Sequence, residues 1–236
     1  MSFPAYLHPL NILVHVSAGS VAIVIGLFLL ATTKGTSRHR ALGRLMLGIA
    51  SLCVACALFG ALAFRGQADL IGVSFLVAYI IYSGFRSIHL TGGGRGFWDI
   101  GPALFLFAGA CVVSWLYGHG GNFHWVPAKV YGSLAGMWFY SGWDCLRIIF
   151  PTNWRTWLNP AEHAMKMTGL VGALVSVAVT TSLKTADPYV PLVVSSVFIV
   201  LSWVFAVRAG LRARRYALGV SPSLSRKARL KADSEL

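Results

Sequence analysis

The sequence predicts an all-α membrane protein: seven transmembrane helices in one bundle, with the N-terminus outside and the C-terminus in the cytoplasm. Three observations carry this. Of the 236 residues, 56% are hydrophobic and only 11% charged, whereas a soluble domain carries about 25% charged residues. The mean hydropathy of +0.69 points the same way. The apolar residues also fall into long runs, and a bilayer core needs roughly 20 of them per helix. With no water in that core the backbone must satisfy itself, so each run is expected to be helical.

The runs lie at about 10–33, 41–64, 70–90, 98–117, 127–149, 161–183 and 189–209. Short segments rich in Gly, Pro and charge divide them: RGQAD, TGGGRG, GHGGNFHWVP, PTNWRTWLNP and KTADP. The chain thus divides into a transmembrane domain, 1–209, and a basic cytoplasmic tail, 210–236. The first run is too long for a signal-peptide core and lacks a basic start, so it reads as a mature helix.

Orientation follows from the cations. With the N-terminus outside, every Lys and Arg except Arg65, Lys129 and Lys184 flanks the inner side, a strong positive-inside bias. The net charge of +13 is therefore a topology marker, and nucleic acid is not an expected partner. The tail cations from Arg208 to Lys231 are placed to lie along anionic headgroups. The cysteines Cys53, Cys56, Cys111 and Cys145 fall in or beside apolar runs, so no disulfide framework is indicated.

Within this topology the histidines sort into two layers. His8, His15, His119 and His124 lie toward the outer side, and His39, His89 and His163 toward the inner side. In the first helix His15 shares a stripe with Asn11, Ala18, Gly19, Ala22 and Gly26. Small residues let another helix or a flat ligand approach closely. The second helix opens in KGTSRHRALGR, with Thr36 or Ser37 as cap. The positive helix end and the adjacent Arg38 and Arg40 favour a neutral His39 ring, the form metal ligation requires. Arg40 and Arg44, one turn apart, suit haem propionates or lipid phosphates. Cys53 and Cys56 stand in mid-membrane as packing residues.

The third helix ends at His89, where the dipole favours a histidine in any case. The fifth carries the aromatic group Trp138, Phe139, Tyr140 and Trp143, then Asp144 with Arg147 three residues on. An ion pair within one helix is the simple expectation there, a proton relay the sharper one. Asn159 as cap, Pro160 and Glu162 read as the start of the sixth helix. His163 and Met167 follow, one turn apart; the imidazole suits haem iron or Cu(I), and the thioether suits the core. The seventh helix contains no lysine, which excludes a retinal Schiff base there. TGGGRG lacks the trailing Lys-Ser/Thr of a phosphate loop.

The stretch HVSAGSVAIVIGLFLLATTKGTSRHRALGRLML resembles a widespread family of uncharacterised bacterial multi-pass membrane proteins. Its members are similar in a histidine and glycine in the first span and a K-G…H-R-x-x-G-R segment entering the second. They commonly also have a later H-x-x-R-M helix start. Here that start is His163, Lys166 and Met167, with lysine in place of arginine, which keeps the charge and loses the bidentate fork. The resemblance implies a multi-pass topology and the bacterial inner (cytoplasmic) membrane. It implies no activity.

Three functions are compatible with these residues. The first is a haem b electron carrier, with His15, His39 and His163 as iron ligands, Arg40 and Arg44 on the propionates, and His89 as a further metal ligand. The second is a transporter or channel with a histidine-based proton or metal path that includes Asp144. The third is an accessory subunit bound to other membrane subunits.

Overall fold

The computed structural model describes residues 6–64, 68–90, 96–119, 127–183 and 189–218. These form seven α-helices in chain order: α1 (Leu7–Ala31), α2 (Ser37–Ala63), α3 (Ala68–His89), α4 (Phe97–Gly118), α5 (Pro127–Leu146), α6 (Arg155–Leu183) and α7 (Tyr189–Ala217). No strand occurs among the described residues. Arg65, Arg95, His124, Lys184 and the tail cations from Arg226 onward lie outside them.

Six of the helices are long and apolar enough to cross a membrane. The seventh, α5, is the exception, and its sequence says why. Its 20 residues include Lys129, Asp144 and five glycines and serines, so its mean hydropathy falls although its length suffices. Ser133, Ser141 and Asp144 of this helix are buried.

Helices adjacent in sequence pair as hairpins: α1 with α2, α4 with α5, and α6 with α7. The third helix packs on α2, α4, α5 and α6, and is the hub of the bundle. The core runs along it: Leu76, Val77 and Ile80 meet Leu106 of α4, Met137 of α5, and Leu170 and Val171 of α6. In contrast, α7 packs mainly on α6, and its other faces expose Val193, Val197, Val200 and Val207. An apolar surface of that kind belongs against hydrocarbon.

The stripe on α1 is filled by helices. A Cβ on Gly26 would stand 2.7 Å from Val171, and one on Gly19 3.3 Å from the Cys53 sulfur. Asn11 Nδ2 donates to the Cys56 carbonyl (3.1 Å), and His15 Nδ1 bonds the Cys53 carbonyl (2.9 Å). Both side chains thus fasten α1 to α2.

The second helix opens at Ser37 with Thr36 as its cap, as expected, accepting the His39 amide at 3.1 Å. Three other expectations about boundaries and pairing need correction. The sixth starts at Arg155, after a 3-10 turn at Thr152–Trp154. Asn159 and Glu162 therefore do not cap it; their polar atoms are used in the interior. The last helix continues to Ala217, carrying Arg212, Arg214 and Arg215 as helical residues. Lys166 is also no surface topology marker, because it is fully buried.

The turn between α1 and α2 shows how the basic loop is held. Lys34 Nζ donates to the carbonyls of Leu29, Leu30 and Thr32 at 2.7, 2.7 and 2.9 Å. These are orphan acceptors at the end of α1, where a cation also complements the dipole. The ammonium sits 5.1 Å above the Phe205 ring of α7. Burial, and then the Arg212 guanidinium, hold its pKa below the ordinary lysine value. Gly35 follows at φ 83°, the left-handed conformation glycine adopts without strain.

Candidate functional site

Where α3, α5 and α6 meet, the interior is charged. Asp144, Arg147, Glu162 and Lys166 are 2%, 4%, 1% and 0% exposed. Such groups are expensive at membrane depth and persist only when paired or used. Their pairing follows from helix geometry. Residues three or four apart share a helix face, so Asp144 and Arg147 of the α5 end face α6, and Glu162 and Lys166 of α6 face back. The two segments run in opposite directions, so the deeper pair is Asp144–Lys166 and the shallower one Arg147–Glu162.

Lys166 Nζ donates to both Asp144 oxygens, at 2.8 and 2.7 Å. The Tyr79 hydroxyl of α3 donates to Asp144 Oδ2. On the shallower rung Arg147 Nε lies 2.6 Å from Glu162 Oε1, which also accepts the Trp143 indole N–H at 2.7 Å. Arg147 Nη2 donates to Asn159 Oδ1 (2.7 Å), and Asn159 Nδ2 donates to the Leu90 carbonyl (2.8 Å). Ser87 Oγ stands 3.4 Å from Glu162 Oε2.

The result is a two-rung ladder of alternating charge with no net charge. It runs from the Leu90 end of α3 inward to Tyr79. Ser87 and Tyr79 are two turns apart, about 12 Å along the helix. Beyond Tyr79 the interior closes over with Leu76, Ile80, Met137 and Leu170. At the rim, Arg86 grips Asp99 of α4 with a two-pronged contact, both arms 2.9 Å.

Beyond the pair expected within one segment, Asp144 and Arg147 each pair across helices, with Lys166 and Glu162. Both acids have a basic partner on the facing segment.

The histidines are distributed around this ladder. His163 Nδ1 bonds the Gly84 carbonyl of α3 at 2.9 Å, beside the contact of Met167 with Gly84. Met167 packs against the core. His39 lies within electrostatic range of His163 and Lys34, and His163 within range of His89. His15 belongs to the α1–α2 pair instead. His89 bonds its own helix through the Phe85 carbonyl (2.8 Å) and lies tilted against the Phe85 ring, 4.2 Å between centroids. Arg40 donates to the Gly35 carbonyl at 2.9 Å, and Arg44 is exposed. Among the described residues no group of three or more His, Cys, Asp or Glu is arranged to hold a metal ion.

Sequence reasoning singled out Asp144 with Arg147, and Glu162 and Lys166 apart from them, and missed Tyr79, Trp143, Ser87 and Asn159 as their partners. A signal existed: Tyr79, Ser83 and Ser87 recur every fourth residue on α3, opposite Glu162 and Lys166 at the same spacing on α6. The chain matches no family model, no curated protein and no solved structure.

Proposed function

We propose that the protein is a seven-span transporter of the bacterial cytoplasmic membrane, N-terminus outside and C-terminus inside, that couples transport to protons through the α3–α5–α6 ladder. The observation that carries this is the Tyr79–Asp144–Lys166 contact. A lysine sealed from solvent, an acid and a phenol in series can pass a proton: Lys166 gives one to Asp144, and Tyr79 exchanges one with the same carboxylate. Glu162 supplies a second carboxylate nearer the rim, beside the Ser87 hydroxyl. Because the charges cancel, a proton added at the rim leaves the ladder with one excess charge. A low-dielectric interior resists that charge, which gives a transported ion or a helix movement something to relieve. In this reading the apolar layer of Leu76, Met137 and Leu170 closes the path toward the outer side.

The test is proton flux into liposomes carrying the full chain and an internal pH-sensitive dye. The wild type should acidify the lumen under an imposed gradient, and Asp144→Asn or Tyr79→Phe should cut that rate at least tenfold. The Asp144→Asn/Lys166→Met double variant keeps the interior neutral and serves as the folded, inactive reference. A wild type no faster than empty liposomes would sink the proposal.

A second reading, a haem b protein, is favoured by one feature. His15 and His163 each use Nδ1 on a backbone carbonyl, which leaves Nε2 as the free nitrogen, the arrangement found in metal-bound histidines. Such a group would supply one-electron chemistry. Protein purified from haem-sufficient cells would then show a Soret band that shifts on reduction; a colourless preparation removes this reading.

A further inference from the structure

The foot of the α6–α7 hairpin holds a second polar feature, unrelated to the ladder. A cleft of about 360 Å³ opens there between the 3-10 turn before α6 and the last turn of α7. Its walls are of two kinds. Trp154, Trp157 and Leu218 are apolar or amphipathic; Arg214, Asn153 and Thr156 are polar. The two indoles stand 6.0 Å apart between centroids, and Trp157 closes the base against Gly210, where a Cβ would lie 3.5 Å from its ring.

The surroundings are cationic. Residues 208–218 contain Arg208, Arg212, Arg214 and Arg215 and no acid, and residues 150–161 add Arg155 and again no acid. No carboxylate pairs with Arg214 among the described residues. Trp154 is half-exposed, at the end of two membrane-length helices. Indoles at that level sit among headgroups, with one edge apolar and the N–H toward water.

We propose that this cleft binds the phosphodiester headgroup of one anionic phospholipid. Arg214 takes the phosphate, with the two-pronged geometry guanidinium allows, and the Asn153 amide supplies a further donor. The indoles flank the glycerol, and Leu218 meets the first methylenes of the acyl chains. A single cation, indoles and an apolar wall fit a lipid better than a free anion, which has no use for the wall. The site is also more specific than a diffuse attraction of the basic tail, because it depends on one arginine among several.

The experiment uses the purified full chain in neutral detergent, titrated with phosphatidylglycerol brominated on its acyl chains, with tryptophan fluorescence as readout. Quenching should saturate, and Trp154→Phe/Trp157→Phe should remove the saturable part. Arg214→Gln should raise the half-saturation concentration about fivefold, the loss of one basic contact at a membrane surface. Arg215→Gln, on the same turn outside the cleft, should leave it within twofold, and Arg214→Lys, which keeps the charge and loses the two-pronged contact, should fall between wild type and Arg214→Gln. Equal shifts from the two glutamine variants, or an equal response to brominated phosphatidylcholine, would overturn the site. Displacement of the lipid by millimolar inorganic phosphate would reassign it to free phosphate and equally overturn it. None of these outcomes depends on proton flux.

Discussion

Lys166 of α6 and Asp144 of α5 are locked together in the interior, the ammonium 2.8 and 2.7 Å from the two carboxylate oxygens and neither side chain more than 1% exposed. Each side chain justifies the other's burial. Taking either charge out of water costs several kcal/mol, and a partner at hydrogen-bond distance offsets that only while both are present.

The first prediction concerns that mutual dependence. Asp144→Asn or Lys166→Met alone should destabilise the protein by about 3–5 kcal/mol, because each leaves a lone buried charge. The double variant should recover most of the loss, ending within about 1 kcal/mol of wild type or above it. Thermal unfolding of all four proteins in one detergent measures the coupling. Additive single effects would show that the two groups do not act as a pair.

The second rung allows a graded test. Trp143→Phe removes one hydrogen bond to the Glu162 carboxylate and should cost about 1.5–3 kcal/mol. Glu162→Gln strips the ion-pair partner of Arg147 as well and should cost about 3–5 kcal/mol. The same unfolding measurement gives the order, and Trp143→Phe exceeding Glu162→Gln would contradict the geometry.

Close helix contacts make a third prediction. A Cβ on Gly172 would stand 2.4 Å from Phe198 Cβ, an atom fixed to the α7 backbone. On Gly84 the nearest atom is the terminal methyl of Met167 at 2.3 Å, which can swing away. Gly172→Ala should therefore destabilise by about 1–3 kcal/mol, with only partial relief from Phe198→Ala, since that variant removes the ring atoms at 2.7 and 3.1 Å but keeps the Cβ at 2.4 Å. Gly84→Ala should be milder, and milder still alongside Met167→Ala.

Lys34 supplies a pH test outside the spans. Its pKa is lowered in the folded protein, by burial first and by Arg212 second. Between that lowered value and its ordinary 10.5 the unfolded chain binds more protons than the folded one, so the Lys34 contribution to stability rises with pH through that window. Below the window the charged amine carries its full penalty. The difference in stability between wild type and Lys34→Met should thus climb as pH increases toward 10.5. A flat difference would show that Lys34 titrates normally.

Much of the architecture was legible in the sequence because lipid leaves few choices. Long apolar runs must be helices, and glycine, proline and charge mark their ends. The misreadings cluster at residues 155–166. There N-P-A-E resembles a helix cap, yet the helix begins earlier and turns Asn159, Glu162 and Lys166 inward. Locally, capping and inward pairing suit those residues equally well. Only the approach of Arg147, Asp144 and Trp143 from α5 makes the second arrangement the lower in energy.

Likewise the KGTSRHRALGR segment announced a basic loop but not its use. Lys34 closes the end of α1 and Arg40 returns to Gly35, which are local contacts. The place of His39 near His163 depends on how α2 and α6 pack. By itself, then, the sequence determined that this chain forms membrane-length helices and where most of them lie, because those properties follow from hydrophobicity and backbone hydrogen bonding along the chain. Which buried charges meet was decided by the tertiary structure alone. Pairing energy depends on distances of a few ångströms between residues 22 and 65 positions apart (Asp144 with Lys166, Tyr79 with Asp144), and no local pattern encodes such distances.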